Sequence, residues 1–277
     1  MSELRLSEIW IYPVKSLGGI RLDQAKVLEK GLEYDRRWML VDENGVFMTQ
    51  RTTPAMALFK LRLEDEELRI VFSPQSIVHS PQSIVHSIPL HSDIGEREGH
   101  FTIWNDSVVA CEVNKDTSAW FSEILGLKCK LVHFPEKNSR AVDPNYKVND
   151  EHVSLADAYP FLVLGQPSLD YLNSKLAQPL PMNRFRPNFV FTGGEANEED
   201  TWRNFTIGNN RFVGVKACSR CVLTTVNQDT AEKGDEPLRT LATYRKKENK
   251  ILFGQNLVSV DHQHVNEGDL IAIQTRS

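Results

Sequence analysis

Short runs rich in β-branched and aromatic residues, each ended by a turn signal, recur along most of this chain. In the first half they include SEIWIYPVKS, RRWMLVD and FMTQRTT. Between two of these runs stands DENG at residues 42–45, where Asn-Gly supplies the positive φ angles that a tight hairpin needs. The pattern predicts antiparallel β structure from residue 6 to about residue 70.

Strand-like runs also dominate the second half, among a few short helices. NFVFTG, FTIGN, RFVGVKA and VLTTV predict strands, and PFLVLG predicts a buried strand. QPSLDYLNSKL has the apolar spacing of a helix with Pro167 near its first turn, and PLRTLATYR predicts a short helix. A further helix is expected over residues 117–127, capped by Thr117 or Ser118. We therefore expect a mostly β protein with some α structure, in the α+β class.

A long polar segment divides the chain. At 277 residues, 40% of them apolar, the chain is better suited to two modest cores than to a single large one. The segment FPEKNSRAVDPNYKVNDEHVS carries two prolines and no apolar period, which is typical of a loop between domains. We expect one domain over residues 1–134 and a second over residues 135–277.

Charge and hydropathy argue against two classes of partner. The formal net charge of −5 and the pI near 5.9 give no reason to expect binding to a nucleic-acid backbone. No apolar stretch approaches the roughly 18 residues of a membrane span, and MSELRLSEIW lacks the pattern of a signal peptide. We expect a cytoplasmic protein with no membrane partner, whose four cysteines stay free for metal or redox chemistry.

A duplicated heptapeptide contains two of the histidines. SPQSIVH occurs twice in succession, at residues 73–79 and 80–86. Two copies of seven residues are too few and too short to stack as structural repeats. An inserted duplication in a surface loop or hairpin explains them, so neither His79 nor His86 is expected to be a metal ligand.

Two other polar segments are poor candidates for metal sites. His262 and His264 would share one face of a strand, but no third ligand stands near them in sequence. The acidic segment 195–200 lacks the alternating ligand spacing of an EF-hand. We interpret the histidines as exposed strand residues and the acidic segment as a solvated loop.

The sharpest chemical feature is the cysteine pair Cys218 and Cys221, which precedes an apparent strand. A structural zinc site needs four ligands, and Cys111 and Cys129 stand far away in sequence. A thioredoxin-like redox pair belongs at the start of a helix, whereas VLTTV predicts a strand. Arg220 favours the thiolate of Cys221, the form that ligates a soft metal or attacks an electrophile. From this motif alone, two small buried residues at a strand start are an equally good interpretation.

Six segments, in order along nearly the whole chain, resemble one family. They are IYPVKSLGG, DRRW, PFLVL, NRFRPNFVF, ACSRCVLTTVNQDT and LFGQNL. On these segments the chain resembles the MOSC family and, within it, the branch of the mitochondrial amidoxime-reducing components. The resemblance implies an N-terminal MOSC-associated β domain over residues 1–134, a MOSC β-barrel domain over residues 135–277, and a cofactor between them.

The resemblance further implies a bound molybdenum cofactor, Mo-molybdopterin. In that family the second cysteine of the C-x-R-C-x-L-T-T block coordinates the metal, so Cys221 would be the metal ligand and catalytic residue, whereas Cys218 would not be a ligand. Cofactor contacts are implied for Lys15, Ser16, Arg36, Asp157, Arg186, Asn188, Ser219, Arg220 and Asn256. Lysine and arginine side chains suit a phosphate and the polar edge of a pterin.

Some positions depart from the family's pattern. Ala158 and Tyr159 stand where it has hydroxyl-bearing residues, and Gln255 is a further, weaker match. Arg37 replaces an aromatic residue, and Asn227 stands where the amidoxime-reducing branch usually has an aspartate. The change at Asn227 bears on the substrate rather than on the cofactor.

Two functions of different class follow from the resemblance. The first is a molybdenum-dependent reductase of N-hydroxylated small molecules. The sequence has neither a G-x-G-x-x-G dinucleotide motif nor a four-cysteine ferredoxin spacing, so a separate ferredoxin, flavoprotein or cytochrome is expected to supply the electrons. The second is a carrier that transfers sulfur or the cofactor itself through Cys221, because the wider family includes the C-terminal domains of cofactor sulfurases.

Overall fold

Strands make up most of the regular structure. The computed structural model describes residues 3–73, 84–90 and 98–276. The strands are β1 (Arg5–Ile11), β2 (Ile20–Leu22), β3 (Gln24–Leu28), β4 (Gly31–Leu32), β5 (Trp38–Asp42), β6 (Phe59–Glu64), β7 (Glu67–Phe72), β8 (Ile84–Pro89), β9 (Glu98–Ile103), β10 (Asp106–Glu112), β11 (Cys129–His133), β12 (Phe161–Gly165), β13 (Phe189–Thr192), β14 (Trp202–Ile207), β15 (Asn210–Ser219), β16 (Lys246–Lys247), β17 (Lys250–Ser259), β18 (His264–Asn266) and β19 (Ile271–Arg276). The α-helices are α1 (Lys115–Leu125), α2 (Gln166–Asn173) and α3 (Leu238–Leu241). The predicted mostly β, α+β class is confirmed.

The largest sheet joins both halves of the chain. Within the described residues it has nine strands, in the order β19-β14-β15-β17-β12-β13-β1-β2, with β16 paired to the first residues of β17. Strand β1 pairs with β13 in antiparallel register, and β12 pairs with β13 in parallel. The first two strands of the chain therefore lie in the same sheet as β15, the strand that leads to the cysteine pair. The domain boundary at residue 134 remains a prediction.

The described part of the chain has three further, smaller sheets, in the orders β5-β11-β10-β9, β18-β3-β4 and β6-β7-β8. One hydrophobic cluster, which includes Phe189 and Trp202, lies against the large sheet. Another packs Phe59 on Phe121 of α1, with ring centroids 5.2 Å apart. Each fully buried side chain of this size contributes about 2 kcal/mol of burial free energy, so these clusters fix the sheets that carry the site.

Helix α1 confirms one predicted helix and corrects its cap. The side chain of Asn114 accepts a hydrogen bond of 2.7 Å from the main-chain nitrogen of Thr117, so Asn114 is the cap. The prediction of Thr117 or Ser118 as cap was wrong, because apolar periodicity locates the helix but not the extended residue before it. The helix ends at Gly126, whose φ of 64° is the left-handed value that glycine adopts readily.

The predicted strand VLTTV was wrong. Val222–Thr225 forms a single 3-10 turn, and β15 has already ended at Ser219. The Thr224 hydroxyl donates to the carbonyl oxygen of Cys221 at 2.9 Å, and that of Thr225 donates to Val222 at 2.8 Å. These local bonds satisfy main-chain groups that a strand would pair with a neighbour. A turn of four residues carries little of the macrodipole that activates a redox cysteine at a helix start.

The acidic segment 195–200 also differs from the prediction. Glu199 is fully buried rather than solvated, and the Ser168 hydroxyl in α2 lies 2.9 Å from both of its carboxyl oxygens. Burial raises the pKa of Glu199 to about 7. The sequence does not show that Glu199 is buried, because the composition of an acidic segment is the same whether one of its carboxyl groups faces inward or all of them face the solvent.

The histidines in the described part of the chain do not form a metal centre. His79 lies outside those residues, whereas His86 lies in β8 and stacks on Trp120 of α1. His264 begins β18 and is exposed, but His262 lies outside that strand, so their predicted common strand face was wrong. Over the described ranges, no helix is both long and apolar enough to cross a membrane.

Other local predictions hold. The main-chain nitrogen of Gly45 donates to the carbonyl oxygen of Asp42 at 3.0 Å, so the tight turn forms; Gly45 has the expected positive φ, of 75°, but Asn44 does not. Pro167 lies in the first turn of α2, where its missing N–H costs no helical bond. PFLVLG forms the fully buried strand β12.

Candidate functional site

A cleft of about 790 Å³ brings together Cys221 and the nine residues for which the resemblance implies cofactor contacts. Its walls come from the segment after β1, the segment before β12, the turn before β13, the end of β15 and the middle of β17. The predicted residues that line it are Lys15, Ser16, Arg36, Asp157, Arg186, Asn188, Ser219, Arg220, Cys221 and Asn256. Ala158 and Tyr159 also line the cleft, whereas Gln255 does not. Residues up to 241 positions apart in sequence thus share one concave surface.

Cys221 is the accessible thiol of the pair. Where β15 ends, the main-chain nitrogen of Arg220 still donates to Ile251 of β17 at 2.8 Å, and the chain then turns outward. Cys221 is exposed, whereas Cys218 is only partly accessible. Burial raises the pKa of the Cys218 thiol, although the nearby Arg220 opposes this effect. The geometry therefore favours Cys221 as the sulfur that meets a metal or an electrophile.

One wall of the cleft holds an aromatic ring against two guanidinium groups. The Cζ atoms of Arg36 and Arg186 lie 4.4 and 4.1 Å from the centre of the Tyr12 ring. Arg186 also donates from Nη1 to the carbonyl oxygen of Leu17 at 2.6 Å. Burial lowers the pKa of Arg186 to about 10, which leaves it charged at neutral pH. Planar guanidinium groups fixed in this way present their edges to a ligand at little entropic cost.

The Asp35 carboxylate stabilises this wall through hydrogen bonds and an ion pair. It is fully buried and accepts a hydrogen bond of 2.7 Å from the main-chain nitrogen of Tyr12. It also pairs with Arg36 and accepts from the Asn188 amide at 3.1 Å. The Asn188 amide group additionally donates to Trp10 and accepts from Leu162. Asn188 thus fixes the backbone beside the cleft, and a direct contact with a cofactor remains a prediction for it.

The cleft also carries an ion pair between Lys15 and Asp157. Lys15 is buried and also donates to the carbonyl oxygen of Leu155 at 2.9 Å, whereas 57% of the Asp157 side chain is exposed. Burial lowers the pKa of Lys15 to about 8, with Asp157 acting in the opposite sense. The buried Arg140 holds this segment by donating to the carbonyl oxygens of Ala156 and Asp157.

Three of the predicted contact residues have a left-handed backbone. The φ angles of Ser16, Arg36 and Arg186 are 66°, 51° and 55°. A residue other than glycine adopts this conformation uncommonly, and such residues cluster at functional sites where the surrounding fold imposes them. The side chains of all three line the same cleft. This concentration supports the cleft as a candidate functional site independently of the sequence motifs.

Comparison with known families agrees with this architecture. Residues 3–128 match the MOSC N-terminal beta barrel domain, and residues 150–272 match the MOSC domain. The mouse mitochondrial amidoxime-reducing component 1 is 33% identical over 250 residues, which cover 87% of this chain and 71% of the mouse protein. This chain is a MOSC-domain protein. The MOSC protein is also 28% identical to molybdenum cofactor sulfurase of Arabidopsis thaliana, over 90% of its own length and 32% of the sulfurase.

Among solved structures, the YuaD protein of Bacillus subtilis aligns with 99% of the MOSC protein at 9% identity and a TM-score of 0.44. The alignment covers 98% of the YuaD chain.

The cleft of the MOSC protein fits a phosphate-bearing pterin. The Arg220 guanidinium donates to the carbonyl oxygens of Phe253 and Phe185, at 2.7 and 2.9 Å. Its Nη2 atom is buried and has no hydrogen-bond partner among the described residues. Neither Arg220 nor Arg186 forms an ion pair with a carboxylate in the described ranges. Cations that are wholly or partly removed from water without an anion are costly, so a polyanionic ligand would complete this wall.

Sequence reasoning missed two residues that stand at the mouth of the cleft. Nη1 of Arg51 lies 3.7 Å from Sγ of Cys221. The Arg51 guanidinium stacks on Trp104 at 4.2 Å from a ring centre, and Nε1 of Trp104 donates to Asp157 at 3.2 Å. In the sequence, Arg51 was only part of FMTQRTT, a run taken as β structure, and nothing in that run indicates a neighbour 170 residues away.

Proposed function

We propose that this MOSC protein binds a molybdenum cofactor, Mo-molybdopterin, in the cleft, with Cys221 as a ligand of the metal. We further propose that it reduces N-hydroxylated small molecules with electrons from a separate protein. The observation that carries the proposal is the combination, in one cleft, of an exposed cysteine with the buried Arg186 and the partly buried Arg220, which form no ion pair within the described residues. The relatives named amidoxime-reducing components support the choice of substrate class.

The residues of the cleft have separate tasks in this proposal. Lys15 and Ser16 would hold the phosphate, because a lysine charge beside a hydroxyl satisfies phosphate oxygens. Arg36, Arg186 and Arg220 would bind the pterin with donor groups that the fold has already oriented. The further predicted contacts are Asp157, Asn188, Ser219 and Asn256, which line the same cleft.

When bound, the metal supplies the two-electron chemistry that reduces an N–O bond. The chain's own contribution is to orient this chemistry. The 3-10 turn that begins after Cys221 is fastened by the hydroxyls of Thr224 and Thr225, so the thiolate is held at a fixed place on the cleft wall. Reduction of an N-hydroxyl group to N–H and water consumes two electrons and two protons. The open side of the cleft at Cys221 admits the substrate.

The electrons require a partner. The sequence has four cysteines, without a ferredoxin spacing, and no G-x-G-x-x-G dinucleotide motif. We therefore propose an external donor of the ferredoxin, flavoprotein or cytochrome type. A cytoplasmic location also remains a prediction.

A second candidate function uses the same thiol as a carrier of sulfur or of the cofactor. The exposure of Cys221 favours it, because a persulfide must be reached by the protein that receives its sulfur. The similarity to molybdenum cofactor sulfurases from Arabidopsis and rice supports the same alternative.

Metal and pterin content distinguishes the two functions. The wild type, Cys221→Ser and the matched control Cys218→Ser are produced in a host that makes the cofactor. We expect close to one molybdenum and one pterin per chain in the wild type and in Cys218→Ser, and loss or altered coordination of the metal in Cys221→Ser. Reduction of an amidoxime by chemically reduced wild type completes the test. A persulfide on Cys221, without metal or pterin, supports the carrier and contradicts the reductase.

A further inference from the structure

Arg51 lies beside the proposed metal ligand Cys221 but is not among the residues proposed to bind the cofactor. Its Nη1 atom is 3.7 Å from Cys221 Sγ, yet the residue is absent from the walls of the cleft itself. It stands at the mouth, on the side where Cys221 is exposed. The cations of the cofactor wall, such as Arg186, lie within the cleft. A substrate that approaches Cys221 through the mouth therefore passes the Arg51 guanidinium.

The guanidinium of Arg51 is oriented but not neutralised. It stacks on the Trp104 ring at 4.2 Å and lies 5.9 Å from the centre of the Phe47 ring. Within the described residues it forms no ion pair, and the acidic neighbour Asp157 is itself bound by Lys15 and Trp104. Stacking uses the face of a guanidinium and leaves its edge of N–H donors free. One of these donors faces Cys221, and the others are available to a ligand.

The main chain beneath Arg51 is held firmly. Its main-chain nitrogen donates to Thr49 Oγ1 at 3.2 Å, and its carbonyl oxygen accepts from Lys233 Nζ at 2.7 Å. The preceding Gln50 is fully buried and exchanges amide hydrogen bonds with Gln228. Lys233 adds a second positive charge beside Arg51 without occupying the guanidinium edge. A cation fixed in this way loses little entropy when it binds an anion.

We infer that Arg51 is a specificity-determining residue that binds an anionic oxygen of the substrate at the mouth of the cleft, and that Trp104 positions it. The preferred substrates are accordingly N-hydroxylated compounds that carry a carboxylate. The planar fork of a guanidinium matches the two oxygens of a carboxylate in a bidentate pair. This inference rests on the proposed reductase function for its turnover test, but not for its binding test.

The turnover test compares two probes, benzamidoxime and its 4-carboxylate, with chemically reduced holoprotein. We expect Arg51→Gln to lower the ratio of kcat/KM for the carboxylate to that for the neutral probe by about tenfold, through KM, because a charge-assisted hydrogen bond contributes about 1.5 kcal/mol or more. Arg51→Lys should retain part of the preference, because it keeps the charge but loses the fork. Trp104→Leu should lower the ratio by an intermediate factor. The control Arg62→Gln changes an exposed arginine on β6, and the ratio should stay at its wild-type value.

The binding test does not depend on turnover. Calorimetric titration with benzoate should show binding to the wild-type holoprotein and at least tenfold weaker binding to Arg51→Gln. Titration with benzyl alcohol should show no comparable difference between the two proteins. Equal benzoate affinity in the wild type and Arg51→Gln overturns the assignment. An equal loss of kcat for both probes, with an unchanged ratio, also overturns it. Wild type that contains metal and pterin but reduces neither probe contradicts the proposed function, and the benzoate titration then decides the role of Arg51 alone.

Discussion

Arg186 donates a hydrogen bond of 2.6 Å to the main-chain carbonyl oxygen of Leu17. The two residues are 169 positions apart, and Leu17 directly follows Ser16 in the proposed phosphate cradle. Because the Arg186 guanidinium also stacks on Tyr12, a residue of the second half of the chain organises the loop after β1. The cleft therefore depends on the pairing of β1 with β13, which brings these segments together.

Arg186→Lys tests whether the planar group, rather than its charge, holds the pterin. Lysine can still bond to Leu17, but it cannot stack a plane on Tyr12 or offer a second donor. We expect about tenfold weaker retention of the cofactor, measured as pterin fluorescence released from protein after gel filtration. The matched control is Arg211→Lys, an exposed arginine paired with Asp261, which should retain wild-type pterin. Full retention in Arg186→Lys would remove Arg186 from the proposed binding set.

The pKa of Lys15 predicts how cofactor affinity depends on pH. Burial lowers this pKa to about 8, so the ammonium is charged below that pH and becomes neutral above it. Attraction for a phosphate should consequently fall above about pH 8, by up to about tenfold per pH unit until the pKa of the bound state is reached. Pterin release measured from pH 6.5 to 9.5 checks this. In Lys15→Arg, which keeps the positive charge, cofactor affinity should depend less on pH. In Lys15→Gln it should also depend less on pH, but the pterin should be held more weakly at every pH. An unchanged slope in both variants contradicts the assignment.

Much of the fold was predictable because its determinants are local. The β-branched and aromatic runs of β1 and β15, the Asn-Gly turn at residues 44–45 and the apolar run of β12 each depend on neighbours a few residues away. The failures were also local in origin. Thr224 and Thr225 have high strand propensity, but their hydroxyls bond to the preceding carbonyl groups and close a 3-10 turn instead.

The site was predictable only through the resemblance to a family. No periodicity relates Lys15 to Arg186, because the pairing of β1 with β13 that joins them depends on the whole sheet. The family motifs named the residues of the cleft, and the structure brings them together. Arg51 and Trp104 were not predicted, because neither belongs to those motifs. The two residues are 53 positions apart, and the local sequence does not indicate that they stack. Long-range side-chain pairs of this kind become visible only in three dimensions.

Glu199 makes the stability of the protein depend on pH. Its pKa of about 7 in the folded state exceeds its ordinary value of 4.5, so the folded state binds a proton more tightly than the unfolded state. The resulting contribution is present below about pH 4.5 and is lost as the pH rises through 7. Glu199→Gln should therefore be more stable than the wild type at pH 8, by up to about 3 kcal/mol, and similar to it at pH 4.5. Urea unfolding at both pH values measures the difference.

Ser168→Ala is the matched variant for this prediction. It removes the hydroxyl that donates to the Glu199 carboxylate, so it should destabilise the protein more at pH 8 than at pH 4.5. A Glu199→Gln variant whose stability relative to the wild type is the same at both pH values would contradict the prediction, because the pKa of Glu199 would then be the same in the folded and unfolded states.

The amide pair Gln50 and Gln228 predicts a coupled effect on stability. Each donates to the other, at 3.1 and 2.9 Å, and both are buried. Gln50→Leu leaves the Gln228 amide without its partner, and the reverse substitution does the same to Gln50. Each single variant should lose about 1–3 kcal/mol of unfolding free energy, whereas the double variant should lose less than the sum, because two apolar groups replace both partners. Urea unfolding of all four proteins gives the coupling energy. Strict additivity would show that the pair does not join the segment that carries Arg51 to the loop after Cys221.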